Sequence, residues 1–284
     1  MKIKNSTILI TGATGGIGQA IATELAHSGA QLILVGRNEQ KLMALKASLP
    51  SENNHTVLIA NITTSEGLDV INQYAQNKYA ENKHTGNKHT GNIHARLGKK
   101  IDALINNAGC NDFSLLSHKH SGQIEKEIQL NLIAPILLSQ SALTWLNQPG
   151  IILNIGSTFG SIGYPGYTSY CAAKAGLHRF TESLDRELFF TGIRALYLAP
   201  RATKTSLNSD AVDKMNQQLG NQTDDPKIVA QHVVTMLEKE IPAKWIGWPE
   251  KLFARINQLF PSVVSSAIRK QHKTIHQFVT RVSH

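Results

Sequence analysis

The sequence predicts an α/β fold: a doubly wound parallel sheet with helices on both faces. Three observations carry the prediction. A β-rich run, Thr7-Ile8-Leu9-Ile10, passes straight into a glycine turn and then into an apolar helix. Strand-like apolar runs then alternate with helix-periodic stretches to about residue 247, the pattern of parallel strands joined by crossover helices. The chain has 284 residues and 41% apolar content, enough to bury one sizeable core as a single domain.

The glycine turn reads Thr11-Gly12-Ala13-Thr14-Gly15-Gly16-Ile17-Gly18, with Ala20, Ile21, Leu25 and Ala26 at helical spacing behind it. Glycines let a backbone approach a pyrophosphate, which then sits at the positive N-terminus of the helix. Gly12, Thr14, Gly15, Gly16, Ile17 and Gly18 are therefore candidate dinucleotide contacts. A second strand, Gln31 to Val35, ends in Gly36-Arg37-Asn38. A carboxylate about 20 residues beyond such a turn holds a ribose 2′-hydroxyl. Here there is none, and the Arg37 guanidinium suits a 2′-phosphate. The expected dinucleotide is NADP(H).

Helix Glu39 to Leu49 and strand Thr56 to Ala60 follow, and the strand closes on Asn61, near the expected adenine. A helix from Ser65 to about Gln76 gives way to Lys83-His84-Thr85-Gly86-Asn87, repeated as Lys88-His89-Thr90-Gly91-Asn92. Without apolar periodicity, residues 76–98 read as an exposed low-complexity insertion. It joins a helix to the next strand, so it lies away from the strands' carboxyl ends, where ligands bind. His84, His89 and His94 are five apart and do not share a helical face, so no metal site is expected.

Ile101 to Ile105 is the fourth strand, closing on Asn106-Asn107-Ala108-Gly109, whose small residues permit close packing against a cofactor. A helix over about 124–145 carries Asn131 among Ile128, Leu132, Ile136 and Leu138. Pro135 is placed to kink it and free a carbonyl near Asn131. Strand Ile151 to Ile155 leads to Ser157, a glycine-rich loop, and a helix from Tyr170 to about Phe190. Tyr170 and Lys174 are four apart and stack on one helical face. An ammonium one turn away is expected to lower the tyrosine from its usual value near 10. Ser157 reaches the same point from the strand end. A hydroxyl, a tuned phenol and a cleft suit the reduction of a carbonyl.

Strand Ile193 to Leu198 precedes Pro200-Arg201-Ala202-Thr203-Lys204-Thr205. Residues 206–225 are polar apart from a stripe of Val212, Met215 and Leu219, the composition of a flap over a site. A helix over Lys227 to Glu240 turns Val229, Val233 and Leu237 inward, and Trp245 to Trp248 reads as a last short strand. The chain thus divides into a dinucleotide-binding domain, 1–247, and a basic C-terminal extension, 248–284. Two amphipathic helices broken at Pro261 are expected in the extension. From Lys244 onward seven basic residues stand against Glu250 alone, a net +6 of the chain's +9. Such a tail suits peripheral contact with an anionic membrane or an acidic partner; folding back onto the body as a subunit or pocket wall is the equal alternative. No run approaches the roughly 18 apolar residues of a membrane span. Ile8-Leu9-Ile10 is too short for a signal-peptide core. Cys110 and Cys171 form no disulfide framework and fit a reducing cytoplasm. No nucleic-acid partner is expected.

The glycine motif, Asn106-Asn107-Ala108-Gly109, Asn131, Ser157 and Tyr170-x-x-x-Lys174 resemble, in order and with a Ser157–Tyr170 separation of 13, the short-chain dehydrogenase/reductase family. The resemblance runs from about residue 5 to 247, less the insertion. It implies a Rossmann-type sheet of seven parallel strands, hydride transfer from a nicotinamide, and Tyr170 as general acid in ketone reduction. It further implies that Ser157 bonds the substrate oxygen, Lys174 the nicotinamide ribose, and Asn131 the water of a proton relay. Asn107, Ala108, Gly109, Pro200, Thr203 and Thr205 would line the cofactor. The chain departs from the family at Asn61, usually Asp, and at Arg201, usually Gly; Arg201 is expected to bring positive charge to the substrate entrance. The expected activity is the reversible, NADPH-dependent reduction of a ketone or aldehyde on a lipophilic or acyl substrate, by a homodimer or tetramer in the cytoplasm or at its membrane face. The alternatives are a reductase of 3-oxoacyl chains on an acyl carrier protein and a non-catalytic NADP(H)-sensing module. The complete Asn131, Ser157, Tyr170 and Lys174 set argues against the last.

Overall fold

The structure, a computed structural model, describes residues 1–84 and 101–281. Strands β1 (Thr7–Thr11), β2 (Gln31–Gly36), β3 (Thr56–Ile59), β4 (Ile101–Asn106), β5 (Leu146–Ile155), β6 (Ile193–Ala199) and β7 (Ala243–Trp245) form one seven-stranded sheet in the order β3-β2-β1-β4-β5-β6-β7. Every pairing is parallel. The chain enters at β1, winds outward to β3, then crosses to β4 and winds the other way. The reversal opens a crevice at the carboxyl ends of β1 and β4, where doubly wound sheets bind ligands.

Successive strand residues point to opposite faces, and the two faces have separate cores. Ile8, Ile10, Leu32 and Leu34 pack against Ile21 and Leu25 of α1 (Gly16–His27). Leu42 of α2 (Glu39–Ser48) joins that face. Leu9, Ile33, Leu104 and Ile152 pack on the other face, against Ile71 of α3 (Ser65–His84). The predicted helix end at Gln76 is thus too early. Residues 76–84 continue α3, and the remainder of the expected insertion lies outside the described residues.

The helix expected over 124–145 begins earlier and changes its winding. It comprises α4 (Ser121–Ile128), a π turn (Gln129–Ile133) and α5 (Ala134–Ala142). Pro135 has no N–H to give to the carbonyl four residues back, that of Asn131, so the α-helical ladder cannot run through this point. Helix α6 (Thr168–Glu187) starts two residues before Tyr170 and stops before Phe190. The polar 206–225 stretch contains α7 (Asp210–Leu219), capped by Ser209 and anchored by buried Val212 and Met215. Helix α8 (Pro226–Lys239) buries Val229, Val233 and Leu237 as expected. The last strand lies at 243–245 rather than 245–248.

The extension is two helices, α9 (Glu250–Leu259) and α10 (Pro261–Arg281), broken at Pro261 as expected. Part of their apolar side lies against the body. Val264, Ile275, Phe278 and Val279 are buried, and Ile275, Phe278 and Val279 share a core with Phe113, Tyr167, Tyr170 and Met215. The extension is therefore folded onto the body as a wall. No helix among the described residues is long and apolar enough to cross a membrane.

Candidate active site

The glycine turn is held from beneath by β4. Thr11 is buried, and its Oγ1 accepts from the backbone N–H groups of Asn107 (3.1 Å) and Ala108 (3.2 Å). The Asn107 Nδ2 in turn donates to the carbonyls of Thr11 and Gly12, each at 3.1 Å. Gly12 has a positive φ of 63°, and a Cβ there would lie 2.7 Å from Ala108 Cα. Only glycine lets these two backbones meet.

Above the turn, α1 starts at Gly16 with Gly15 at its N-cap, no side-chain cap and no acidic residue in its first turn. Its first N–H groups therefore face the crevice without a competing acceptor, which suits an anion. A Cβ on Gly15 would meet nothing closer than 3.5 Å. Open space, free donors and missing side chains make the turn fit a dinucleotide pyrophosphate. Thr205 closes one edge, since its methyl lies 2.7 Å from where a Gly16 Cβ would stand. Arg37 is exposed at the carboxyl end of β2. Asn61 turns back on its own loop, and its Oδ1 accepts from Thr63 N (3.3 Å) and Thr63 Oγ1 (2.9 Å). The acceptor expected for an adenine amine is thus already engaged by Thr63.

The four predicted catalytic residues come together at the ends of β4 and β5. Tyr170 and Lys174 are buried on α6, with Lys174 Nζ 5.8 Å from the Tyr170 ring centre. Ser157 follows β5 and sits beside the Tyr170 hydroxyl. Asn131 is fully buried in the π turn; its Nδ2 donates to Cys110 O (2.7 Å) and Glu127 O (2.9 Å). Gly109 is where they meet: a Cβ there would lie 2.9 Å from Asn131 Oδ1 and 3.8 Å from Lys174 Nζ.

The electrostatics of the pair differ from the expectation. Burial pushes Tyr170 up to about 12, against a smaller opposing effect of the neighbouring Ser157 hydroxyl. Lys174 Nζ donates instead to Ile155 O at 2.9 Å. Burial draws Lys174 itself down to about 8. Desolvation thus outweighs any help the ammonium gives the phenolate. Tyr170 remains a protonated phenol through the neutral range, ready to give a proton.

Beneath this site lies a cluster that the sequence reading passed over. Glu127 Oε2 accepts from Lys119 Nζ at 2.6 Å and from Ser169 Oγ, and its Oε1 accepts from Asp112 N at 2.7 Å. The Lys119 and Glu127 side chains are 0% and 2% exposed, so both charges are out of water and are paired with each other, with Ser169 Oγ bonded to both. From near the end of α4, this one carboxylate ties the loop after β4 (Asp112), the segment leading into α4 (Lys119) and the first turn of α6 (Ser169), one residue before Tyr170. A readable signal existed: Glu127 shares the face of Asn131, four residues on, between the apolar Ile124 and Ile128.

A cavity of about 400 Å³ opens over Ser157 and Tyr170. Phe159, Ile162, Tyr164 and Tyr167 line it, together with Val212 and Met215 of α7 and Val264 and Ile268 of α10. Phe159 and Tyr164 stack at 4.9 Å. The Tyr164 hydroxyl is buried there without a hydrogen-bond partner among the described residues. Arg201 lines the cavity too, but does not present a free charge. Its Nη2 lies 2.7 Å from Asp224 Oδ1, and its Nη1 donates to Trp248 O at 3.4 Å. The expected positive entrance is thus neutralised by a carboxylate that the sequence did not place nearby. Pro200 O accepts from Thr158 N (3.0 Å) and Thr158 Oγ1 (2.9 Å), fixing the start of the 200–205 loop. Thr203 Oγ1 donates to Arg201 O at 3.0 Å.

Comparison with known proteins bears on this arrangement. The 3-oxoacyl-(acyl-carrier-protein) reductase of Rickettsia bellii is 35% identical over 218 residues, 76% of this chain and 78% of that one. A short-chain dehydrogenase from Streptomyces avermitilis superposes with a TM-score of 0.73 at 22% identity, covering 96% of this chain and 98% of its own. A short-chain dehydrogenase from Sphingobium yanoikuyae, solved with NADPH, superposes at 0.69 and 24% identity, covering 92% and 95%. The family model for short chain dehydrogenases matches residues 6–216, which include the glycine turn and all four of Asn131, Ser157, Tyr170 and Lys174, and the chain belongs to that family.

Proposed function

We propose that this chain is an NADPH-dependent oxidoreductase that reduces, reversibly, a ketone or aldehyde on a lipophilic or acyl substrate. The observation that carries the reading is the meeting of Ser157 and Tyr170 at the floor of an aromatic-walled cavity beside an uncapped glycine turn. Arg37, at the end of β2 with no carboxylate beside it, supports NADP(H) over NAD(H). The pyrophosphate would rest on residues 12–18, with Asn107, Ala108, Gly109, Pro200, Thr203 and Thr205 around the rest of the group.

When bound, NADPH supplies a hydride to the carbonyl carbon. The protein's own part is to hold the oxygen and give it a proton. Ser157 and Tyr170 hydrogen-bond the carbonyl oxygen, and Tyr170 transfers its phenolic proton as charge builds there. Lys174 orients the nicotinamide ribose. Asn131 holds the π turn, whose carbonyl Pro135 leaves free to take the water that returns a proton to Tyr170. The wall of Phe159, Tyr164 and Tyr167 excludes bulk water and selects an apolar body. The test is Tyr170→Phe: turnover with a panel of lipophilic ketones falls by roughly 10² to 10⁴, the usual worth of a positioned acid, while NADPH still binds. Full activity in that variant overturns the reading.

A second reading is the reduction of 3-oxoacyl chains on an acyl carrier protein. The name of the Rickettsia bellii relative and the basic extension favour it. A KM that rises with salt for the carrier-bound substrate, but not for the free thioester, supports it. The partners we infer are thus a lipophilic carbonyl compound, an anionic surface met by the extension in or beside the cytoplasm, and further copies of the chain.

A further inference from the structure

Folding α10 onto the body uses up its apolar stripe and leaves a different part of the extension uncovered. At the corner between α9 and α10, Leu259 is 73%, Phe260 62% and Val263 56% exposed. These three are nearly consecutive around Pro261, so they project together from the elbow. Exposed Leu252 shares the α9 face of Leu259, and Arg255 falls between them at helical spacing. Lys251 is one turn from Arg255. On α10, Lys270 lies two turns beyond Val263 on the same side. The chain has no Asp or Glu from 251 to 281, while Lys251, Arg255, Arg269, Lys270 and Lys273 lie in that span. Lys244 is held below its ordinary range by burial and by Lys251 and Lys239, a sign of cations crowded together at the foot of α9.

We propose that the α9–α10 elbow docks on an anionic lipid surface, with Leu259, Phe260 and Val263 inserted among the lipids and Lys251, Arg255 and Lys270 on the headgroups. An apolar tip with several cations against the single acid Glu250, at the far end of α9, is the composition of an interfacial anchor. An acidic protein would satisfy the cations but leave the tip unmatched. Phe253 belongs both to the exposed side of α9 and to the cavity lining. The docked face therefore adjoins the route by which a lipophilic carbonyl compound reaches Tyr170. That last clause rests on the reductase reading; the docking does not.

The experiment is cosedimentation of the full chain with vesicles of phosphatidylcholine plus phosphatidylglycerol, and with phosphatidylcholine alone. No turnover is measured, so failure of docking and failure of the reductase reading remain separate. Wild-type protein partitions onto the anionic vesicles at low salt and is released as salt rises. Lys251→Gln with Arg255→Gln lowers partitioning about 25-fold, a factor of about five for each cation. Leu259→Ser with Phe260→Ser lowers it at least as much. An unchanged melting temperature checks that the variants fold; if the apolar pair melts early, Phe260→Gln alone carries the test. Absence of wild-type binding, equal binding to neutral vesicles, or equal binding by all variants overturns the proposal. So does loss of self-association in the same variants while vesicle binding stays, which would make the elbow a contact between copies.

Discussion

Replacing Lys174 by methionine separates what this residue does for the reaction from what it costs the fold. Burial brings its pKa from 10.5 to about 8. Holding the ammonium charged at pH 7 therefore costs roughly 3 kcal/mol, at 1.36 kcal/mol per unit. Methionine fills a similar volume without that penalty. It also strips Ile155 O of the donor now 2.9 Å away, a loss of about 1–3 kcal/mol. The two nearly offset, and the variant should be between equal to and about 2 kcal/mol more stable than wild type at pH 7. The sign of the pH effect follows from the direction of the shift. The folded pKa lies below the unfolded one, so between about 8 and 10.5 the unfolded chain binds the extra proton and wild-type stability rises with pH. By pH 9.5 this one group has added roughly 2 kcal/mol to the wild type and nothing to the variant. Urea denaturation of both proteins at pH 7 and pH 9.5 measures the change directly. The advantage of Lys174→Met should vanish or reverse at the higher pH, while its reductase activity is lost at both. A stability difference that is the same at the two pH values would refute the reasoning.

The buried carboxylate beneath the site gives a second test. Glu127→Gln strands the Lys119 ammonium out of water and should cost about 3–5 kcal/mol, read by denaturant midpoint. Lys119→Met with Glu127→Leu removes both charges and should recover most of that stability. If the Glu127–Ser169 clamp positions Tyr170, kcat in the recovered double variant still falls about tenfold with KM little changed. Wild-type kcat in it would make the clamp purely structural. Arg37→Asp should shift preference from NADPH toward NADH, measured as the ratio of kcat/KM values; an unchanged ratio counts against a 2′-phosphate contact.

What could be read from the sequence was whatever is encoded locally. The glycine turn, the Tyr170–Lys174 pair and the break at Pro261 all depend on neighbours within a helical turn or two. Pro135 belongs with them, because a missing N–H acts four residues back, and it accounts for the π turn at Asn131. Relations across the chain were not legible. Ser169 is 42 residues from Glu127, and Asp224 is 23 from the Arg201 it neutralises. Nothing in either partner's surroundings announces the other. The Tyr170 pKa was misjudged for the same reason. Spacing places an ammonium beside the phenol, but only the packed structure shows that burial dominates and that the ammonium serves Ile155 O. In α10 the periodicity showed an apolar stripe and could not show that Phe113 and Tyr167 cover it.

The cavity draws on two stretches of the chain. Ser157 and Tyr170 line it from within the 6–216 span matched by the short chain dehydrogenase model. Part of its roof, Val264 and Ile268 of α10, lies beyond that span. The aromatic wall of Phe159, Tyr164 and Tyr167 comes from within that span and part of the roof from outside it, so the cavity is assembled from both stretches of the chain. Substitutions at Val264 and Ile268 would reshape that part of the roof while leaving Ser157 and Tyr170 in place.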